Sequence, residues 1–272
     1  MASFFIQVFQ ATLIQIIFLF GIFFIFGFIL SKIQTATLKN YTRSVGWRGV
    51  LWTAWIGTPV HEYSHALFAL LFRHRINDIV LFSPDPATGE LGHVDHSYDR
   101  TSLYQSAGNF FIGLAPLIFG PLLLAFLLYV LVPQGQEIFR QLSSNQSSLA
   151  LLAGGVKEPL GLLFSWTNLT SLRFWIFLYI SFGIASHIAP SQADRRGAWR
   201  GLLLIIFYLF LINIIARLAD FNFTDYIANL SHFLADMATI YIYVLIISSI
   251  HFLASFLILW PWRKKQVWHQ GQ

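Results

Sequence analysis

His61 and His65 stand four residues apart with Glu62 beside the first, in the run His61-Glu62-Tyr63-Ser64-His65. On a helix that spacing stacks both imidazoles on one face, where they can share a metal ion. A neighbouring carboxylate can take the proton of a water that the ion activates, which is the chemistry of a zinc hydrolase. Two imidazoles do not complete such a site, because a catalytic zinc takes three protein ligands and leaves one position for water. Asp194, in Ala189-Pro190-Ser191-Gln192-Ala193-Asp194, is the expected third ligand. Ser191-x-x-Asp194 also has the form of a helix capping box, and one aspartate is not expected to serve both ends easily. The alternative metal ligands are His93 and His96, with Asp95 and Asp99 close by. Asn109 and His187 are polar groups in otherwise apolar segments. Each is expected either to donate to an oxyanion or to make an interhelical hydrogen bond. His74, His232, His251 and His269 read as interface or packing residues. The chain has no cysteine, which excludes disulfides, thiolate catalysis and thiolate-bound metal.

The elements that must hold these groups are membrane helices. Of the residues 56% are hydrophobic and 11% charged, where soluble domains carry about 25% charged. The net charge of +5 comes from basic residues lying mostly between hydrophobic runs, which suits membrane flanks and not nucleic acid. The expected fold is an all-α polytopic membrane protein of six transmembrane helices, near 4–31, 48–72, 104–132, 173–190, 200–218 and 237–260, with a small β-hairpin after the second. The third contains Pro116 and Pro121, so a kink or re-entrant turn is expected there. Thr58-Pro59 either caps and restarts a helix or bends a continuous one. Residues 77–98 form the hairpin loop and 133–172 an interfacial loop, all within a single membrane domain, 1–272. Lys and Arg divide nine to eight in favour of the side holding 73–103, 191–200 and the tail Arg263-Lys264-Lys265. The positive-inside rule then puts that side, both termini and the site in the cytoplasm.

With these pieces in view the sequence resembles the site-2 protease family of intramembrane zinc metalloproteases. The resemblance spans roughly 48–200. It rests on the His61–His65 motif in a membrane segment, the Gly-rich stretch from Gly89 to Val94, the following span Gly108-Asn109-Phe110-Phe111-Ile112-Gly113-Leu114-Ala115-Pro116, and an aspartate well downstream. It implies that His61, His65 and Asp194 hold Zn²⁺, that Glu62 activates water, and that the hairpin pairs with an unwound segment of a membrane-protein substrate. Pro190 keeps the family's proline four residues before the aspartate, while Arg195 replaces the glycine that usually follows it. Two other functions fit the same residues: a zinc hydrolase acting on a lipid or small amphiphile, and a non-catalytic metal-binding membrane protein.

Overall fold

The computed structural model describes residues 2–143, 157–228 and 231–262. The expected interfacial loop is described except for 144–156, and Arg263-Lys264-Lys265, His269 and the side chain of His232 also lie outside the described residues. The chain is mostly helical. Helix α1 (Ala2–Ser44) and α2 (Trp47–Leu71) are followed by strands β1 (Arg75–Val80) and β2 (His93–Ser97). Then come α3 (Leu103–Gly113), α4 (Ala115–Leu131), α5 (Gly135–Ser143), α6 (Lys157–Leu163), α7 (Trp166–Leu169) and α8 (Leu172–Ala185). Helices α9 (Gln192–Leu218), α10 (Phe223–Ala228) and α11 (Ser231–Leu259) complete the described chain, with a short 3₁₀ turn at Trp260–Trp262.

Helices α1, α9 and α11 are long and apolar enough to cross a membrane, and α3 with α4 makes a fourth if that bent pair is one span. This is consistent with a membrane protein but is fewer than the six spans expected from the sequence. The two that fall away have separate causes. Helix α2 has the length, at 25 residues, but Arg48, Thr58, His61, Glu62 and His65 dilute its apolar character. Helix α8 is apolar but has 14 residues, a rise of about 21 Å against a hydrocarbon core of about 30 Å.

Proline effects fall where backbone chemistry dictates. Pro59 sits inside α2 and the helix runs through it, so Thr58 does not cap a restart. At the α3–α4 junction the axis bends by 56° just before Pro116, which occupies the first turn of α4. Proline has no N–H and its ring crowds the carbonyl four residues back, here that of Ile112. That carbonyl becomes available to another donor.

The long helices pack through small residues and satisfied polar groups. A Cβ on Gly201 would lie 2.4 Å from the Phe110 backbone nitrogen, so α9 meets α3 backbone to backbone. Gln15 of α1 and Asn213 of α9 exchange two amide hydrogen bonds, with Thr12 and Thr224 taking the remaining N–H groups. Such pairing offsets the cost of burying amides in an apolar seam. Tyr41 of α1 and Ser186 after α8 hold the His251 ring of α11 between them, 2.8 and 3.2 Å away. This is the packing role expected of His251. Strands β1 and β2 pair antiparallel, Val80 opposite His93 and Arg75 opposite Ser97, with an irregularity between Ile76 and Asp78.

Candidate metal centre

Helix α2 presents His61, Glu62 and His65 to the first turn of α9, which carries Asp194. The two Nε2 atoms are 3.1 Å apart. Asp194 Oδ2 lies 3.5 Å from His61 Nε2 and Oδ1 lies 3.4 Å from His65 Nε2. Ligand bonds of about 2.0–2.1 Å around a tetrahedral ion imply ligand–ligand separations of about 3.3–3.4 Å, so these three groups already stand at coordination spacing. They form a possible metal-binding triad.

Both rings are oriented from behind. His65 Nδ1 donates to the Ile112 carbonyl at 2.8 Å, the same carbonyl that Pro116 leaves without a helical partner. His61 Nδ1 donates to the His187 carbonyl. That carbonyl lies two residues beyond the end of α8 at Ala185, outside the helical hydrogen-bond ladder. With each Nδ1 carrying the proton, each neutral imidazole turns a bare Nε2 lone pair towards the other and towards a carboxylate. That donor set calls for a cation, and backbone acceptors behind the rings are what commonly fix metal-binding histidines.

The capping box is real as well: Asp194 N–H donates to Ser191 Oγ at 3.2 Å while Ser191 N–H donates to Asp194 Oδ2. The expectation that one aspartate could hardly both cap and face the histidines is therefore corrected. A carboxylate has about four lone-pair sites, and capping uses one of them.

Glu62 is 8% exposed and makes no hydrogen bond with any described residue. It shares with the triad, Asn109 and His187 the lining of a cavity of about 790 Å³. Asn109 donates one amide N–H to the Ser106 carbonyl, which leaves the other for the cavity. His187 donates from Nδ1 to the Gly183 carbonyl at 3.1 Å, and its buried Nε2 has no partner among the described residues. In the neutral ring that atom accepts a hydrogen bond; it would not give one to an oxyanion. The sequence pointed to the His187 side chain, and it is the carbonyl of this residue that reaches the triad.

The hairpin roofs the cavity with Gly89 to Val94 and His96. Gly92 is the closest approach: a Cβ there would fall 2.6 Å from the Val80 oxygen and 3.2 Å from Glu62 Cγ. None of the loop's candidate ligands joins the triad. His93 is held by Glu90 at 2.8 Å and Asp78 at 3.4 Å, and Asp95 accepts from Asn77. Asp99 accepts from Thr101. His74 gives its Nε2 proton to the Gln105 carbonyl, so its Nδ1 accepts from His96 Nδ1 at 3.0 Å. Burial holds both of these rings below the ordinary histidine range, and they are neutral near pH 7.

His93 moves the other way, because its hydrogen bonds to Asp78 and then Glu90 favour the imidazolium. A raised folded-state pKa contributes stability that is fully present below the unfolded value and lost as pH rises through the folded one. NMR titration should place His93 above an ordinary histidine, and Asp78→Asn should lower it. An unshifted His93 would show that these pairs do not form in solution.

Comparison with protein-family models, curated proteins and solved structures finds no match to this chain. The site therefore rests on its own geometry. The residues that sequence reasoning missed are those that bring the ligands together. A Cβ on Gly113 would lie 2.5 Å from the Asp194 backbone oxygen, and one on Gly57 would lie 2.2 Å from the Gly183 backbone oxygen. The available signal was a glycine within an apolar segment, as at Gly57 and Gly113, a small residue that allows close helix crossings.

Proposed function

We propose that this chain is an intramembrane zinc metalloprotease of the site-2 type, cleaving membrane-protein substrates within or near the bilayer. Two imidazoles and a carboxylate at tetrahedral spacing, with no thiolate, suit Zn²⁺, and three protein ligands are the count of a catalytic rather than a structural site. The observation that favours a peptide substrate is the hairpin. Among the described residues strand β2 pairs with β1 on one side only, and Leu91 to Val94 line the cavity beside Glu62. An unpartnered strand edge offers N–H and C=O groups in register with an extended peptide.

Zn²⁺ held by His61 Nε2, His65 Nε2 and Asp194 would polarise the scissile carbonyl and acidify the attacking water. Glu62, beside the triad and without a hydrogen bond, takes the proton of that water and delivers it to the leaving nitrogen. Asn109 supplies an N–H towards the carbonyl oxygen as charge builds on it. A peptide bond inside a helix is shielded by its own hydrogen bonds, and pairing with β2 replaces those bonds as the substrate unwinds. A second apolar cavity adjoins the site and favours the runner-up, hydrolysis of a lipid or small amphiphile by the same groups.

The test is co-expression with single-span reporter proteins, comparing wild type with Glu62→Gln. Products should appear with the wild type, fall by about 10²–10⁴-fold in the variant, and do so at unchanged zinc content. Cleavage at the wild-type rate by Glu62→Gln would remove Glu62 from the mechanism and the protease assignment with it. Hydrolysis of lipid without reporter cleavage would select the runner-up.

A further inference from the structure

The wall of the metal cavity continues into a second cavity of about 650 Å³ between α1, α9 and the α3–α4 bend. Ser31, Thr35, Pro190 and Arg195 line both. The volume is that of a ligand pocket, and its ends differ in chemistry. One end is hydrocarbon-like, with Phe23, Phe24, Phe28, Leu117 and Leu202. The other carries Lys32, Lys39 and Arg195, with Trp199 beside them.

These three cations have no carboxylate partner among the described residues. Lys32 Nζ lies over the Phe28 ring, and Arg195 gives one N–H to the Pro190 carbonyl, which leaves the rest of its guanidinium fork. Their placement along the helices is consistent. Helices α1 and α9 run antiparallel, Gln7 meeting Arg217 and Gln15 meeting Asn213. The apolar stretch of α1 ends at Lys32, and that of α9 begins just after Trp199. Basic residues and tryptophan at that level are the signature of a membrane–water interface. From Phe23 to Lys39 the groove follows α1 for about 24 Å. One leaflet with its head groups measures roughly 20–22 Å.

We propose that this groove binds an anionic glycerophospholipid, its phosphate among Lys32, Lys39 and Arg195 and one acyl chain along Phe23, Phe28 and Leu117. A groove graded from hydrocarbon to unpaired cations over one leaflet's depth repeats the order of chemistry in such a lipid. A polypeptide segment would need acidic residues placed at one end of an apolar run to match it. The lipid closes the seam between α1 and α9 where Ser31 and Thr35 separate the groove from the metal cavity. The binding does not depend on the activity proposed above.

The experiment reconstitutes the full chain in phosphatidylcholine vesicles and adds phosphatidylglycerol or phosphatidylcholine with brominated chains, reading tryptophan quenching. Comparison with Trp199→Phe isolates the signal of Trp199. Brominated phosphatidylglycerol should quench Trp199 at a lower mole fraction than brominated phosphatidylcholine. Lys32→Ala, Lys39→Ala and Arg195→Ala should each weaken that preference about fivefold, the worth of one cation near an anionic surface. Arg195→Lys, which keeps the charge, should retain the preference. Arg196→Ala, one residue on and outside the lining, should leave it unchanged. Equal quenching by the two lipids would overturn the proposal. So would a loss in Arg196→Ala as large as in Arg195→Ala, since diffuse surface charge would then explain the preference. Displacement of the lipid by added glycerol phosphate would assign the cations to a soluble phosphate instead.

Discussion

Asp194→Ala is expected to weaken zinc binding by more than about 100-fold. Loss of a group that only orients a ligand already costs about 10–100-fold, and Asp194 faces both histidines directly at 3.4 and 3.5 Å. The substitution also removes the carboxylate half of the capping box of α9 and leaves Ser191 N–H without its acceptor, so a destabilised helix could imitate a lost ligand. Ser191→Ala separates the two effects. It removes the serine half of the cap and leaves the carboxylate, and should lower thermal stability while keeping the metal. The measurement is zinc per protein by elemental analysis on monodisperse, detergent-purified protein. Retention of full zinc by Asp194→Ala would place the third ligand elsewhere and weaken the resemblance to site-2 proteases.

Gly57→Ala should be nearly as damaging, although it changes no ligand and adds one methyl group. The new Cβ would lie 2.2 Å from the Gly183 oxygen and 2.4 Å from His187 Nδ1, where real contacts do not fall below about 3.0 Å. Neither neighbour is the free end of a flexible chain: one is helix backbone, and the other is a ring pinned by its bond to that same carbonyl. Helices α2 and α8 must therefore separate. The His187 carbonyl that holds the His61 ring would move with α8. Overpacking of this kind costs typically about 1–3 kcal/mol, and zinc affinity should fall about 10–100-fold as His61 loses its orientation. Gly161, where an added Cβ meets nothing within 4 Å, is the matched control, and Gly161→Ala should leave zinc content unchanged. If Gly57→Ala binds zinc as tightly as the wild type, the α2–α8 crossing does not position His61.

The candidate ligands were legible in the sequence because their pattern is local or chemically rare. Imidazoles at i and i+4 face one side of any helix whatever surrounds it, and ionisable groups in an apolar run require a purpose. Asp194 could be named from its place at the end of the expected fourth span, on the same membrane face as the end of the second, but not that it both caps α9 and faces the histidines, since that depends on which side of the carboxylate they approach. The hairpin was legible from its Pro/Gly turn, with strands displaced by a few residues from those expected. The number of spans was not. The dilution of α2 by Arg48, Thr58, His61, Glu62 and His65 stands in the sequence, whereas the end of α8 at Ala185, too soon to cross alone, is set by the structure. Composition and spacing alone thus determined the long apolar helices, consistent with a membrane protein, and the His61, Glu62 and His65 triplet. Only the tertiary structure decided how Asp194 reaches it: Pro116 frees the Ile112 carbonyl, the chain leaves α8 before His187 so that its carbonyl is free to face His61, and glycines let α2 meet α8 and α3 meet α9 backbone to backbone. Those effects depend on which carbonyl lies behind which ring, a relation between residues far apart in the chain that no local pattern encodes.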